Sequence, residues 1–90
     1  MKNEHSFKID EDGNKRYYLN GLLHREDGPA VEYVNRSKFW YQNGFLHRID
    51  GPAVMFFDGD TYWWFHGQEI SCHSQEEFLA ITNPKLAMFW

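Results

Sequence analysis

The chain has 90 residues, a formal net charge of −4, 19% aromatic residues and a single cysteine. That length makes one domain. The acidic balance argues against electrostatic binding of a nucleic-acid duplex, and the lone Cys72 excludes an intrachain disulfide. No apolar run approaches the ~20 residues that span a bilayer. The stretch MKNEHSFKIDEDGNK is polar and lacks the apolar segment of a signal peptide, so the expectation is a soluble cytosolic protein with no membrane association.

In chain order, the first elements are "FKID", the turn "EDGN" and "KRYYL". They form a degenerate half unit over 7–20. Asp-Gly between apolar runs signals a hairpin, because glycine accepts positive φ. Asn20-Gly21 follows, the favoured pair for a two-residue type I′ turn. A unit over 21–43 then runs "GLLHREDGPAV", "EYV", the turn "NRS" and "KFWYQN". The next unit, 44–66, repeats the plan as "GFLHRIDGPAV", "MFF", "DGD" and "TYWWFH". Gly21, Gly44 and Gly67 stand at one period of 23 residues. Residues 67–90 form a capping segment, as the ends of repeat arrays require. In it Ser74 is an N-cap, with Glu77 completing a capping box. Phe78, Leu79 and Ile81 supply an apolar face, and Asn83-Pro84 ends a helix of about 75–82. The expected fold is therefore mainly all-β, an antiparallel meander of hairpins with one short C-terminal helix.

The twin motif admits two readings. As a folding device, Asp27-Gly28-Pro29 and Asp50-Gly51-Pro52 are corners. Asp forms an Asx-turn, Gly takes a conformation barred to other residues, and Pro starts the next strand. Arg25 and Asp27, like Arg48 and Asp50, sit two apart on one face and can pair. His24 and His47 then face the other way and can bridge adjacent rungs through both ring nitrogens. As a binding device, His24, Arg25, His47 and Arg48 form a ladder for phosphate or carboxylate, which the planar guanidinium fork suits.

The aromatic residues form two stripes. Trp40 and Trp63, with Tyr17, recur once per unit on one face and read first as core; with the arginines they are also candidates to stack a ligand ring. Tyr41 and Trp64, with Tyr18, lie on the opposite face. A single-layer sheet does not bury both faces by itself, so one stripe is a candidate partner surface and a homo-oligomer is expected. The second unit is the more apolar: Ile49 for Glu26, Met55 for Glu32, Phe57 for Val34, Phe65 for Gln42. The partner surface is accordingly placed at Tyr41, Trp64, Phe57 and Phe65, and at Phe89 and Trp90 of the apolar "KLAMFW". Cys72-His73 lacks metal-ligand spacing and no orienting third group accompanies the thiol. No cofactor, metal or catalytic residue is expected.

The 23-residue period and the segment Asn43-Gly44-Phe45-Leu46-His47 resemble the MORN repeat family, whose units run Tyr-x-Gly-x-x-x-x-Gly-x-x-His-Gly-x-Gly. Arg48 stands where that pattern has glycine, and Asp50-Gly51-Pro52-Ala53 follows. This variant is similar to small repeat proteins of bacteriophages. The resemblance implies elongated runs of β-hairpins without a shared catalytic site. It also implies a phage-encoded protein in the host cytoplasm that counteracts a bacterial defence system; with Arg25, Arg48 and the aromatic stripe, the expectation is capture of a nucleotide-type signal or of a host defence protein. The alternative is a scaffold that mediates protein assembly without a small ligand.

Overall fold

The structure is a computed structural model that describes residues 3–83; Phe89 and Trp90 lie outside them. It is mainly antiparallel β-sheet: β1 His5–Ile9, β2 Lys15–Leu19, β3 Leu22–Leu23, β4 Val31–Glu32, β5 Lys38–Phe39, β6 Tyr41–Gln42, β7 Phe45–Leu46, β8 Val54–Met55, β9 Thr61–Phe65 and β10 Gln68–Ile70, followed by α1 Gln75–Thr82. The main sheet runs β1-β2-β4-β5-β8-β9-β10, with β3 also on β2, and β6-β7 forms a separate pair. The chain measures 46 × 39 × 18 Å, the thickness of one sheet with its side chains and a helix.

Several strands are shorter than the apolar runs predict. The cause is a change of partner. The Trp40 N–H donates to the Ala53 carbonyl at 2.7 Å, on the side of β8, while its own carbonyl accepts from the His47 N–H at 3.0 Å, on the side of β7. One extended segment, 38–42, thus serves two ladders and is split at Trp40. The equivalent β9 changes partner in the same way but is unbroken, because β10 extends to Ile70, which pairs with Trp63, so no residue of 61–65 lacks a ladder partner.

Two turn types alternate. Asn20-Gly21, Asn43-Gly44 and His66-Gly67 all have positive φ at both residues, as type I′ hairpins need. At the opposite edge the tips close with Gly13 N–H to Asp10, Arg36 N–H to Tyr33 and Gly59 N–H to Phe56. There only the last loop residue is left-handed: Gly13, Arg36 and Gly59. That is a three-residue loop with a bulge.

The described core is small. Ala30, Val31, Ala53, Val54 and Phe78 are its buried apolar residues, the first four being two repeat-equivalent pairs. Edge-to-face rings run beside the valines: Tyr33–Phe39, Phe39–Phe56 and Phe56–Tyr62, with centroids at 5.4, 5.6 and 5.9 Å. In the half unit the same two positions hold Asp10 and Arg16, an ion pair at 2.9 Å that keeps the Asp10 carboxyl well below its ordinary range. The helix is capped by Ser74, whose hydroxyl accepts from Glu77 N–H at 3.1 Å. The Glu77 carboxylate returns to His73 N–H, one residue before the expected partner. Phe78 is buried, but Ile81 is exposed, so the apolar face of the helix is narrower than its sequence suggests.

Arg36 holds φ of 78° where its counterparts are glycines. Arg36→Gly is expected to raise stability by about 0.5–1 kcal/mol by removing left-handed strain. Gly67→Ala should cost more than about 1 kcal/mol, since its φ is +81° and the added Cβ would lie 2.7 Å from Phe45 Cδ1. Urea unfolding of both variants measures the opposite signs.

Candidate functional site

The corner motif is built around its arginine. The Arg25 guanidinium lies 4.0 Å from the centre of the Tyr17 ring, and that of Arg48 lies 4.0 Å from the centre of the Trp40 ring. On the other side of each guanidinium is a glycine. A Cβ on Gly28 would stand 3.1 Å from Arg25 Cζ, and one on Gly51 would stand 2.8 Å from Arg48 Cζ. Neither glycine has positive φ. The left-handed conformation expected of them is thus not adopted, and an added Cβ would crowd the guanidinium, more at Gly51 than at Gly28.

Hydrogen bonds lock the stack. Arg25 Nε donates to Asp27 at 3.0 Å, and its Nη1 donates to the Pro29 carbonyl at 3.1 Å and to Glu32 at 3.0 Å. Arg48 Nε donates to Asp50 at 2.8 Å and Nη1 to the Pro52 carbonyl at 3.0 Å, with Met55 Sδ at 3.9 Å where the first unit has Glu32. The Arg48 guanidinium holds the Asp50 carboxyl below its usual range. The carboxylates of Asp27 and Asp50 thus go to arginine. The expected Asx-turn does not form, because the residue two positions on is proline and has no N–H to give. Asx bonds occur at the hairpin tips instead, Asp10 to Asp12, Asn35 to Ser37 and Asp58 to Asp60.

The histidines bridge rungs. His24 Nδ1 accepts from Asn43 N–H at 2.9 Å, and His47 Nδ1 accepts from His66 N–H at 2.8 Å. Each therefore carries its proton on Nε2. His24 Nε2 is buried without a hydrogen-bond partner, and the nearest carboxylate, Glu26, is 3.7 Å away. His47 stacks on His66 at 4.2 Å. Burial, then the neighbouring His66, holds His47 below its ordinary value.

Two open grooves run beside the corners. One, of about 590 Å³, lies between the two corner loops and is lined by Arg25–Gly28, Trp40, Gln42 and His47–Asp50. The other, of about 560 Å³, lies between the first corner and β1, with His24, Tyr17 and Phe7 in its wall. Of the expected ligand residues, Arg25, Trp40, His47 and Arg48 share the first groove, and His24 lies in the second with Arg25. Trp63 lines neither: its indole N–H donates to Gln75 Oε1 at 2.9 Å, and Gln75 Nε2 donates to the Ile49 carbonyl at 2.7 Å. The first turn of α1 sits at that third rung. Gln75 was not evident from sequence. The available signal was Ser71, which occupies the position held by Arg25 and Arg48 and leaves Trp63 without an arginine.

The expected partner surface divides. Phe57 is 66% exposed, and Tyr41 and Trp64 are half-buried. Phe65 is not a free surface: its ring meets His47, His66 and Phe78, with centroids at 5.0, 4.4 and 6.2 Å, and so helps seat the helix. Among the described residues no three of His, Cys, Asp and Glu are grouped to hold a metal ion, and no helix is long and apolar enough to cross a membrane. Burial pushes the Cys72 thiol up, away from a reactive thiolate. Comparisons of the chain with known families, curated proteins and solved structures found no match.

Arg48→Lys keeps the charge but loses the planar stack and the fork; it is expected to cost about 1–3 kcal/mol, read as a lower denaturation midpoint. For His47 the unfolded value of 6.5 lies above the folded one, so the unfolded chain binds more protons as pH falls through 6.5. Its contribution is complete above pH 6.5 and is lost as pH falls through the depressed folded value. An NMR titration of the five histidines should find His47 titrating below 6.5 as the Nε2–H tautomer.

Proposed function

We propose that the chain is a non-catalytic binding protein that captures a host protein along the groove between its two corner loops. The observation that carries this reading is the pairing of the arginines. Arg25 and Arg48 already face Asp27, Glu32 and Asp50, so the groove presents Glu26, Asp27 and Asp50 against two guanidiniums that are largely committed. Such a rim disfavours a phosphate-bearing ligand and suits a partner with basic and polar side chains. Nucleotide capture, the other form of the reading, is thereby the weaker one. The resemblance to phage repeat proteins supports placing that capture in the host cytoplasm, as inhibition of a bacterial defence system.

A scaffold role without a small ligand is the second reading. It draws on the edge-to-face stripe from Tyr33 to Tyr62, in which Phe56 and Tyr62 are exposed on one sheet face. Assembly of several copies through that stripe belongs to this reading.

Ile49 is exposed at the groove, so Ile49→Lys is expected to change stability by no more than about 0.5 kcal/mol. Affinity capture from a bacterial lysate should recover one stoichiometric protein with the parent chain and lose it with Ile49→Lys. Calorimetry against cyclic nucleotides and ADP-ribose derivatives should give no heat. Heat that disappears in Arg48→Lys would return the reading to nucleotide capture. Recovery of nothing but further copies of the chain would favour the scaffold.

A further inference from the structure

The third rung shows what the open groove is shaped to hold. There one side-chain carboxamide joins two groups: Gln75 Oε1 accepts from the Trp63 indole N–H, and Gln75 Nε2 donates to the Ile49 carbonyl. One period earlier the same two positions are Trp40 and Glu26, and both line the groove between the corner loops. No described residue takes the Trp40 indole N–H. The backbone bonding around the two tryptophans repeats closely: Arg25 N–H donates to Tyr41 O and Arg48 N–H to Trp64 O, while Gly44 N–H donates to Leu23 O and Gly67 N–H to Leu46 O. Arg48 covers the face of Trp40, which leaves the N–H edge of the indole for another acceptor.

Resting on the reading that this groove captures a protein, we propose that it takes a glutamine or asparagine carboxamide from a partner polypeptide, presented at the first turn of a helix. The carboxamide oxygen accepts from Trp40 Nε1–H and its NH₂ donates to the Glu26 carbonyl. The Gln75 carboxamide is the internal example of this occupant, offered there by the helix that stands in place of a further corner. The flanking side chains differ: the third rung has Phe65 and Ser71 where the groove has Gln42 and Arg48. The third rung has Ile49 where the groove has Glu26, and the groove rim carries Glu26, Asp27 and Asp50, all exposed. The partner therefore carries Lys or Arg next to its carboxamide, where α1 carries Glu76 and Glu77. Charge complementarity of that kind sets specificity and encounter rate more than affinity.

The test uses the intact chain and a synthetic peptide of residues 74–82 with Glu76→Lys and Glu77→Lys, alongside the same peptide with Gln75→Ala. The four tryptophan indole N–H signals are followed by ¹⁵N NMR. The first peptide should shift the Trp40 signal and leave that of Trp63 in place. The Gln75→Ala peptide should bind about tenfold more weakly, the loss expected for two hydrogen bonds. In the Trp40→Phe chain, which keeps a ring for Arg48, the difference between the two peptides should shrink to about threefold, since only the bond to the Glu26 carbonyl remains, completing a double-mutant cycle. Equal binding of both peptides to the parent chain, with Arg48 and Ile49 signals moving, would overturn the carboxamide pairing and leave groove capture standing. If neither peptide moved any groove signal at about 5 mM, weaker than millimolar affinity, the pairing would also fall; lysate capture with Ile49→Lys decides the groove separately.

Discussion

The fold depends on an arginine held flat between a ring and a bare backbone. Arg25 between Tyr17 and Gly28, and Arg48 between Trp40 and Gly51, each connect a strand of one hairpin to the corner that starts the next. A guanidinium is suited to this place because it stacks face-on, is weakly hydrated and offers a planar set of donors. The ring takes one face and the glycine leaves room at the other. Asp and a proline carbonyl take the edge. The stacked, hydrogen-bonded guanidiniums add to what apolar burial supplies. That accords with a described apolar core of two Ala-Val pairs and one phenylalanine.

The period of the chain was legible in its sequence, and so were the turns. Glycines at 21, 44 and 67 fix the type I′ hairpins, and the capping residues fix the helix at Gln75–Thr82. The pairing of each arginine with the acid two residues on was legible for the same local reason. The crowding of the guanidiniums at Gly28 and Gly51 was not, since it lies in the path of a side chain distant from any turn signal. The split of 38–42 at Trp40 was hidden because both halves are equally extended; only the hydrogen-bond partners change. Phe65 looked like exposed surface by comparison with Gln42, yet it faces α1. Arg25, Trp40, His47 and Arg48 were legible as neighbours, while the removal of Trp63 to the helix by Gln75 was not. The electrostatics of the site were not legible either, because the acids that flank the guanidiniums decide whether charge is available to a ligand.

Departures from the repeat mark where the molecule changes its task. The positions of Asp10 and Arg16 become Tyr33 and Phe39, then Phe56 and Tyr62. An ion pair at the solvated start gives way to rings that continue across units. The position of Arg25 and Arg48 becomes Ser71, and the helix takes the rung that would otherwise receive a further corner. In each case the backbone plan persists and a few side chains switch what the rung faces.

The cross-rung bonds of the type I′ hairpins have a consequence for how the chain grows. Asn43 N–H reaches His24 and Gly44 N–H reaches Leu23; His66 N–H reaches His47 and Gly67 N–H reaches Leu46. Gly44 to Leu23 and Gly67 to Leu46 cross from one unit to the next, Asn43 to His24 and His66 to His47 close a unit on itself, and none of the four skips a unit. The array is thus a one-dimensional lattice with nearest-neighbour couplings, whose stability is a sum over units and their interfaces. Duplicating 23 residues in frame adds one term to that sum and disturbs neither end, a route by which an ancestral gene can lengthen its binding surface in whole rungs.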